Sequence, residues 1–410
     1  GDGQARGQDD GWSTWQGPVT GLQKQPTPEI SRAGAPSGQP LRRFRHLIAG
    51  FGAMLLLAGL VVVPSQASAA EGEFVTTWVT SNTSDGSSAT DQVSLPLVGS
   101  GVYNFSVDWG DGSSDTITAY NQPEVTHTYA SAGSKTVTIT GSIKGWRFAN
   151  TGDRLKLVDV SSWGPVQFGS DGSYFRGAAN LQVSATDAPD LSATTDLSNT
   201  FYNATSLVGN TLGGWDLSGV TDTTGMFRGA TAFNGDISAW STAGVNTMSS
   251  MFRGATSFDQ DISGWNVGSV TTMSSMFRQA TGFDQDLGAW NVTAVADMAA
   301  MFNGTGLSRT NYDGLLEGWA SQSVQPAVTL DAGSSKYTSG APADAHAVLT
   351  DDHGWSITDG GETSAPDAPT GVVATGAPEA ATVSWDAAAA NNSAIIDYTV
   401  TGTAEGADDP

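Results

Sequence analysis

The 410-residue chain carries 41 acidic and 17 basic residues, a formal net charge of −24, with 51 glycines and no cysteine. The absence of cysteine excludes disulfides and thiolate metal sites, and the acidic surplus counts against nucleic acid and anionic lipid as partners. The length allows two to four domains. A charged fraction of only 14% suits a β-rich, turn-rich extracellular protein better than a cytoplasmic enzyme.

Residues 1–40 contain no methionine and are expected to be a non-native or disordered leader, with the natural start near Leu41. Residues 41–69 read as a secretory signal peptide: the basic stretch LRRFRH (41–46), the apolar run 47–63, then PSQASAA with a cleavage site at Ala67-Ser68-Ala69. Cleavage leaves 37 acidic and 11 basic residues from position 70 onward. It also leaves a mature chain with no expected membrane span. The expected location is outside the cell, secreted or at the surface.

Residues 71–145 alternate apolar and polar positions in five short runs (74–80, 93–98, 103–109, 115–120 and 135–143) separated by Gly, Ser, Asp and Asn. That pattern predicts a small antiparallel β-sandwich. DWGDG (108–112) followed by HTYASAGSKTVTITG (127–141) resembles the PKD-type β-sandwich. In that family the Trp-Gly-Asp-Gly stretch is a structural turn. The spacing of Asp108, Gly110 and Gly112 fails the alternating-ligand pattern of a calcium loop.

Residues 146–303 repeat. Phe175, Phe201, Phe227, Phe252, Phe277 and Phe302 recur every 25 or 26 residues, and Trp163, Trp215, Trp240, Trp265 and Trp290 each precede one of them by 12. Pro189 occupies the one Trp slot left over. A period of this size predicts stacked coils. Within one unit, Ile262, Trp265, Val267, Val270, Met273, Met276 and Phe277 follow leucine-rich-repeat spacing, with Trp and Met in place of Leu. Alternation of Trp265 and Val267 predicts a short inner strand, and the three-to-four spacing from Val270 to Phe277 predicts a helical turn. The expected repeat core is Trp215, Trp240, Trp265, Trp290, Phe227, Phe252, Phe277 and Phe302.

Residues 304–361 break the rhythm and read as a C-terminal cap, 362–370 as a linker. Residues 371–410 resemble the first strands of a fibronectin type III domain, with Trp385 and Tyr398 in its B-strand and C-strand slots, truncated at Pro410. The predicted fold class is therefore multidomain and β-rich: a PKD-like β-sandwich, a leucine-rich-repeat-like α/β solenoid, then a partial fibronectin type III sandwich.

Taken jointly, MFRGATSFDQDISGWNV, DWGDG and the GLSRTNYDGLLEGWA…GWSITDGG cap resemble the BspA-like leucine-rich-repeat surface proteins of bacteria over residues 71–361. The resemblance implies a secreted or surface-attached protein, adhesin-like, without a catalytic site. The residues agree on chemistry: there is no nucleophile elbow, P-loop or HExxH motif, and His346 and His353 lack a third metal ligand. No catalytic residue, metal or cofactor is expected.

Two columns stand out instead. Arg228, Arg253 and Arg278 share one repeat slot, which Arg176 also fits, and Asp236, Asp261 and Asp286 share another. One reading pairs the columns as a solvated ion-pair ladder; the other makes the arginines an anion-recognising stripe. The predicted inner strands would expose Asp216, Ser241, Asn266 and Asn291 as a partner surface. The expected function is a non-catalytic binding protein for an extracellular protein or glycan. Its alternatives are an accessory region of a secreted hydrolase and a structural stalk.

Overall fold

The computed structural model describes residues 72–363, 369–377 and 380–386. The predicted leader, signal peptide, most of the linker and the fibronectin-like Tyr398 lie outside the described residues. The described chain is β-rich with few helices and no closed barrel. It divides into two compact units: residues 72–363, and a hairpin. The hairpin pairs β14 (Thr370–Ala377) with β15 (Ala380–Asp386), antiparallel.

The first unit opens on β1 (Phe74–Val79), β2 (Gln92–Ser94), β3 (Leu97–Asp108), β4 (Ser114–Ile117), β5 (Thr126–Thr128) and β6 (Ser134–Trp146). Period-two patterning places Phe74, Thr76 and Trp78 of β1 inward, and Tyr103, Phe105 and Val107 of β3. The buried Thr76 hydroxyl donates to Val137 O at 3.2 Å and accepts Trp78 Nε1 at 2.8 Å, so neither polar group is stranded. β2 and β5 form a separate two-stranded sheet.

The main sheet does not end at residue 145. Its order is β4-β3-β6-β1-β7-β9, with β7 (Leu157–Ser162) and β9 (Gln182–Val183) taken from the predicted repeat region; β8 (Val166–Gln167) pairs β6. The antiparallel ladder gives way to parallel pairing at β7·β9 and β6·β8. The first coils thus add strands to the sheet that precedes them, and its edge is covered rather than exposed.

From there the chain stacks coil on coil. Parallel bridges join Asp196 to Asp222, Thr247, Thr272 and Asp297 in turn. The stack corrects two expectations. No strand forms at Trp265–Val267, and no α-helix at Val270–Phe277; the pairing runs instead through Thr272, inside the predicted helical turn. The reason is how the amides are shared. Met248, Ser250, Phe252 and Gly254 donate to Thr272, Ser274, Met276 and Arg278 of the next coil at 2.8–3.1 Å, while Met251 and Arg253 donate three residues back within their own coil. With alternate N–H groups committed to the neighbour, the continuous i→i−4 ladder of an α-helix cannot form. The spacing of apolar side chains is the same either way.

The turn also needs two left-handed residues per coil, four apart. One column is Asn199, Gly225, Ser250, Ser275 and Ala300; the other is Asn203, Gly229, Gly254, Gln279 and Gly304, with φ between 53° and 76°. Such a φ costs a residue with a side chain about 1–2 kcal/mol. Gln279 (φ 60°) sits where four other coils place glycine, at Gly177, Gly229, Gly254 and Gly304. Gln279→Gly is expected to raise stability by about 0.5–1 kcal/mol, after the entropy that glycine adds to the unfolded chain. A urea midpoint unchanged or lower would refute that.

The stack closes on α1 (Arg309–Ala320), β10 (Thr329–Asp331), β11 (Tyr337–Thr338), α2 (Ala341–Ala347), β12 (Ser356–Thr358) and β13 (Glu362–Thr363). Ser308 caps α1 by accepting Asn311 N. A bridge from Met298 to Leu330 joins the last coil to β10, which pairs β12 in parallel. β13 pairs β11, so Glu362 and Thr363 belong to this closing segment and not to the predicted linker.

Candidate functional site

All eight expected core residues are buried. The Phe column is a near-parallel stack: Phe201, Phe227, Phe252, Phe277 and Phe302 succeed one another at 5.5–5.7 Å. A second column, Phe233, Phe258 and Phe283, lies against the first at 3.9–4.0 Å. It has the same 25-residue period, and that spacing alone was sufficient to reveal it. From Trp240 onward the tryptophans tie each coil to the previous one: Trp240, Trp265 and Trp290 donate Nε1 to Leu212 O, Ile237 O and Ile262 O at 2.9–3.1 Å, and Trp319 continues the series to Leu287 O at 3.0 Å. Where Pro189 replaces Trp, Trp163 and Trp215 from the coils on either side meet edge-to-face at 5.4 Å, and both indole N–H groups are buried without a partner.

With the core assigned, the exposed columns can be placed. Asp216, Ser241, Asn266 and Asn291 are exposed, but on turns and not on an inner sheet. Asp216, Asn266 and Asn291 each accept the backbone N–H two residues on, at 2.9–3.2 Å. These are Asx turns, so the side chains shape their own loop. The aspartate column does the same: Asp236, Asp261 and Asp286 accept the N–H of Ser238, Ser263 and Gly288 at 2.8–3.0 Å. Hydrogen bonds from Ser238 and Ser263 hold the Asp236 and Asp261 carboxyls below the usual carboxylate range.

The expected pairing of aspartate and arginine columns is therefore corrected. Among the described residues, no carboxylate lies within 4.0 Å of Arg176, Arg228, Arg253 or Arg278. The aspartates are spent on their own turns. The arginines, half-buried at the stem, form one column with Tyr202 inserted: Arg176 and Arg228 both lie over the Tyr202 ring, at 5.0 and 4.8 Å. Burial, then the charges of Arg228 and Arg278 on either side, push the Arg253 guanidinium below its ordinary value. Arg278 Nε is buried with no hydrogen-bond partner. Adjacent like charges one coil apart, about 4.8 Å, repel by about 1 kcal/mol in water and more where solvent is excluded. The column is a concentration of unneutralised positive charge on a strongly negative chain.

Three other titratable clusters are structural in geometry. Asp111 and Ser113 both approach the same His127 nitrogen, Nε2, at 2.8 and 3.5 Å. A relay needs the acid on one ring nitrogen and the nucleophile on the other, so this trio closes the DWGDG turn. His127 stacks on buried Trp109 at 4.9 Å. Tyr312 donates to Asp359 at 2.7 Å, and His346 lies 3.4 Å from the same oxygen, so His346 is bound to the closing segment. Lys156 and Asp153, both buried, form an ion pair at 3.3 Å. Among the described residues no group of three or more His, Cys, Asp or Glu side chains is placed to hold a metal, and no helix is long and apolar enough to cross a membrane.

A profile of the family described as "Mycoplasma protein of unknown function, DUF285" matches residues 195–319, less than a third of the chain. The match begins at the coil of Asp196 and ends within α1, so it covers the stacked coils and the start of their closure. No curated protein and no solved structure matches the chain.

Proposed function

We propose that this is a secreted or surface-displayed, non-catalytic binding protein, adhesin-like, whose stacked coils form a BspA-like, leucine-rich-repeat-type solenoid. On this reading the preceding β-domain is PKD-like and the hairpin at Thr370–Asp386 opens a fibronectin type III module, the two serving as spacers. The observation that carries the proposal is the arginine column. Four cations on one face, without acids to neutralise them, are costly to fold and are explained by an anion from outside. Guanidinium groups bind carboxylates and sulfates in a bidentate fork, which suits an acidic glycan or an acidic protein segment.

The double variant Arg253→Ala/Arg278→Ala is expected to lose at least about tenfold in affinity for the ligands that the wild-type chain selects on an array of matrix proteins and glycans. Binding undiminished in the double variant would remove the column from the reading. Failure of the folded wild-type chain to select any ligand would favour a structural stalk.

A further inference from the structure

The arginine column has a period as well as a charge, and the period narrows the ligand. Arg278, Arg253 and Arg228 stand on three successive coils, Tyr202 takes the fourth place and Arg176 the fifth. Coil-to-coil hydrogen bonds and the Phe stack keep those coils in register. The cationic sites therefore recur once per coil, with a single omission at Tyr202; coils are about 4.8 Å apart where they bridge, and the neighbouring Phe column steps by 5.5–5.7 Å. The left-handed positions border the column: Gly225, Ser250 and Ser275 three residues before the arginines, and Gly229, Gly254 and Gln279 one after, all small except Gln279 beside Arg278. Between Arg228 and Arg253 those positions hold only glycine and serine. At the far end Asn303 takes the slot and donates to Asp331 at 2.9 Å, so the cationic line stops at Arg278.

We propose that this column reads a linear acidic polysaccharide with one anionic group per sugar, lying along the stack axis with successive sugars on Arg278, Arg253 and Arg228 and a fifth on Arg176. The inference rests on the column being the binding surface. A small anion could engage one or two of these arginines. A polymer whose repeat is about one coil thick engages all of them, and each added contact forms within an already bound molecule at high effective concentration. A pyranose ring is about that size. The Tyr202 position needs no charge from the ligand, and its ring is already flanked by Arg176 and Arg228. Double-stranded nucleic acid fits poorly, because its charge density calls for a broad basic patch and this chain offers a single line on a surface of net negative charge.

The test is calorimetric titration of the full chain with oligogalacturonates of one to six residues, with a singly sulfated series in parallel to identify the anion. Affinity should rise at least about tenfold from two to three residues and several-fold again from four to five, with little gain at six. Arg228→Gln should abolish the first step, and Arg176→Gln only the second. A monomer that binds as well as the trimer, or a second step that survives Arg176→Gln, would overturn the proposal. If the array ligands are lost in Arg253→Ala/Arg278→Ala while both length series are flat, the column binds but does not read spacing. If they are retained, the binding surface lies elsewhere and both readings fall.

Discussion

Phe252→Ala is expected to cost about 3–5 kcal/mol of folding free energy, the range for removing a large aromatic from a packed core. Phe252 sits between Phe227 and Phe277, 5.7 Å from each and within 6° of parallel, and its ring lies 3.9 Å from Phe258. With the rings of Phe233 and Trp265 at 6.4 and 6.1 Å, five ring contacts vanish together, and the cavity is walled by stacked coils that cannot collapse without breaking their backbone ladder. Coils in a stack are stable only through their neighbours. A central deletion should therefore also broaden the transition by uncoupling the coils on either side. Phe302, whose column neighbour is Phe277 alone, should cost less when truncated. Urea unfolding followed by tryptophan fluorescence measures both; equal losses at the two sites, or a loss at Phe252 under about 1 kcal/mol, would contradict a cooperative aromatic stack.

The second large effect is expected at Asp153. Its carboxylate accepts Ser88 N, Ser88 Oγ and Ser94 N at 2.6–2.8 Å and pairs with Lys156 at 3.3 Å. Lys156 Nζ in turn donates to Ser88 O, Ala89 O and Gln92 O at 2.8–3.0 Å. Together the pair pins the 84–94 loop to the start of the coils. Burial pushes the Lys156 ammonium below its usual value, and Asp153 opposes that shift. Asp153→Ala leaves a buried cation without its counter-charge and three donors without an acceptor, for an expected loss of about 3–5 kcal/mol. Asp153→Asn retains an acceptor and should lose less. Thermal unfolding of both variants checks the order, and equal stability of Asp153→Ala and wild type would show that solvent reaches the pair.

The columns of the coil stack were legible in one dimension. A 25-residue period places Trp265 over Trp240 and Phe277 over Phe252 whatever path the coil takes, because residues one period apart must meet when coils stack. Alternation was likewise enough to place β1, β6 and the second half of β3, since apolar side chains at every second position share a face; the run expected at 93–98 divides instead between β2 and a β3 that starts at Leu97. Period could not say how the chain travels within a coil. The Val270–Phe277 spacing fits a helical turn and the observed left-handed turn equally well. What decided between them was the commitment of alternate N–H groups to the next coil, a contact between residues 24 apart. The same limit applies to the candidate site. Arg253 and Asp261 are both plain as columns, but whether two columns meet depends on their angle around the coil, which sequence separation does not encode. Only the folded chain turns each aspartate back onto its own loop and leaves the arginines, with Tyr202 set among them, facing no acid. The buried Asp153–Lys156 pair was invisible for a related reason: three residues apart in a charged stretch, they read as surface until the Ser88 loop closes over them.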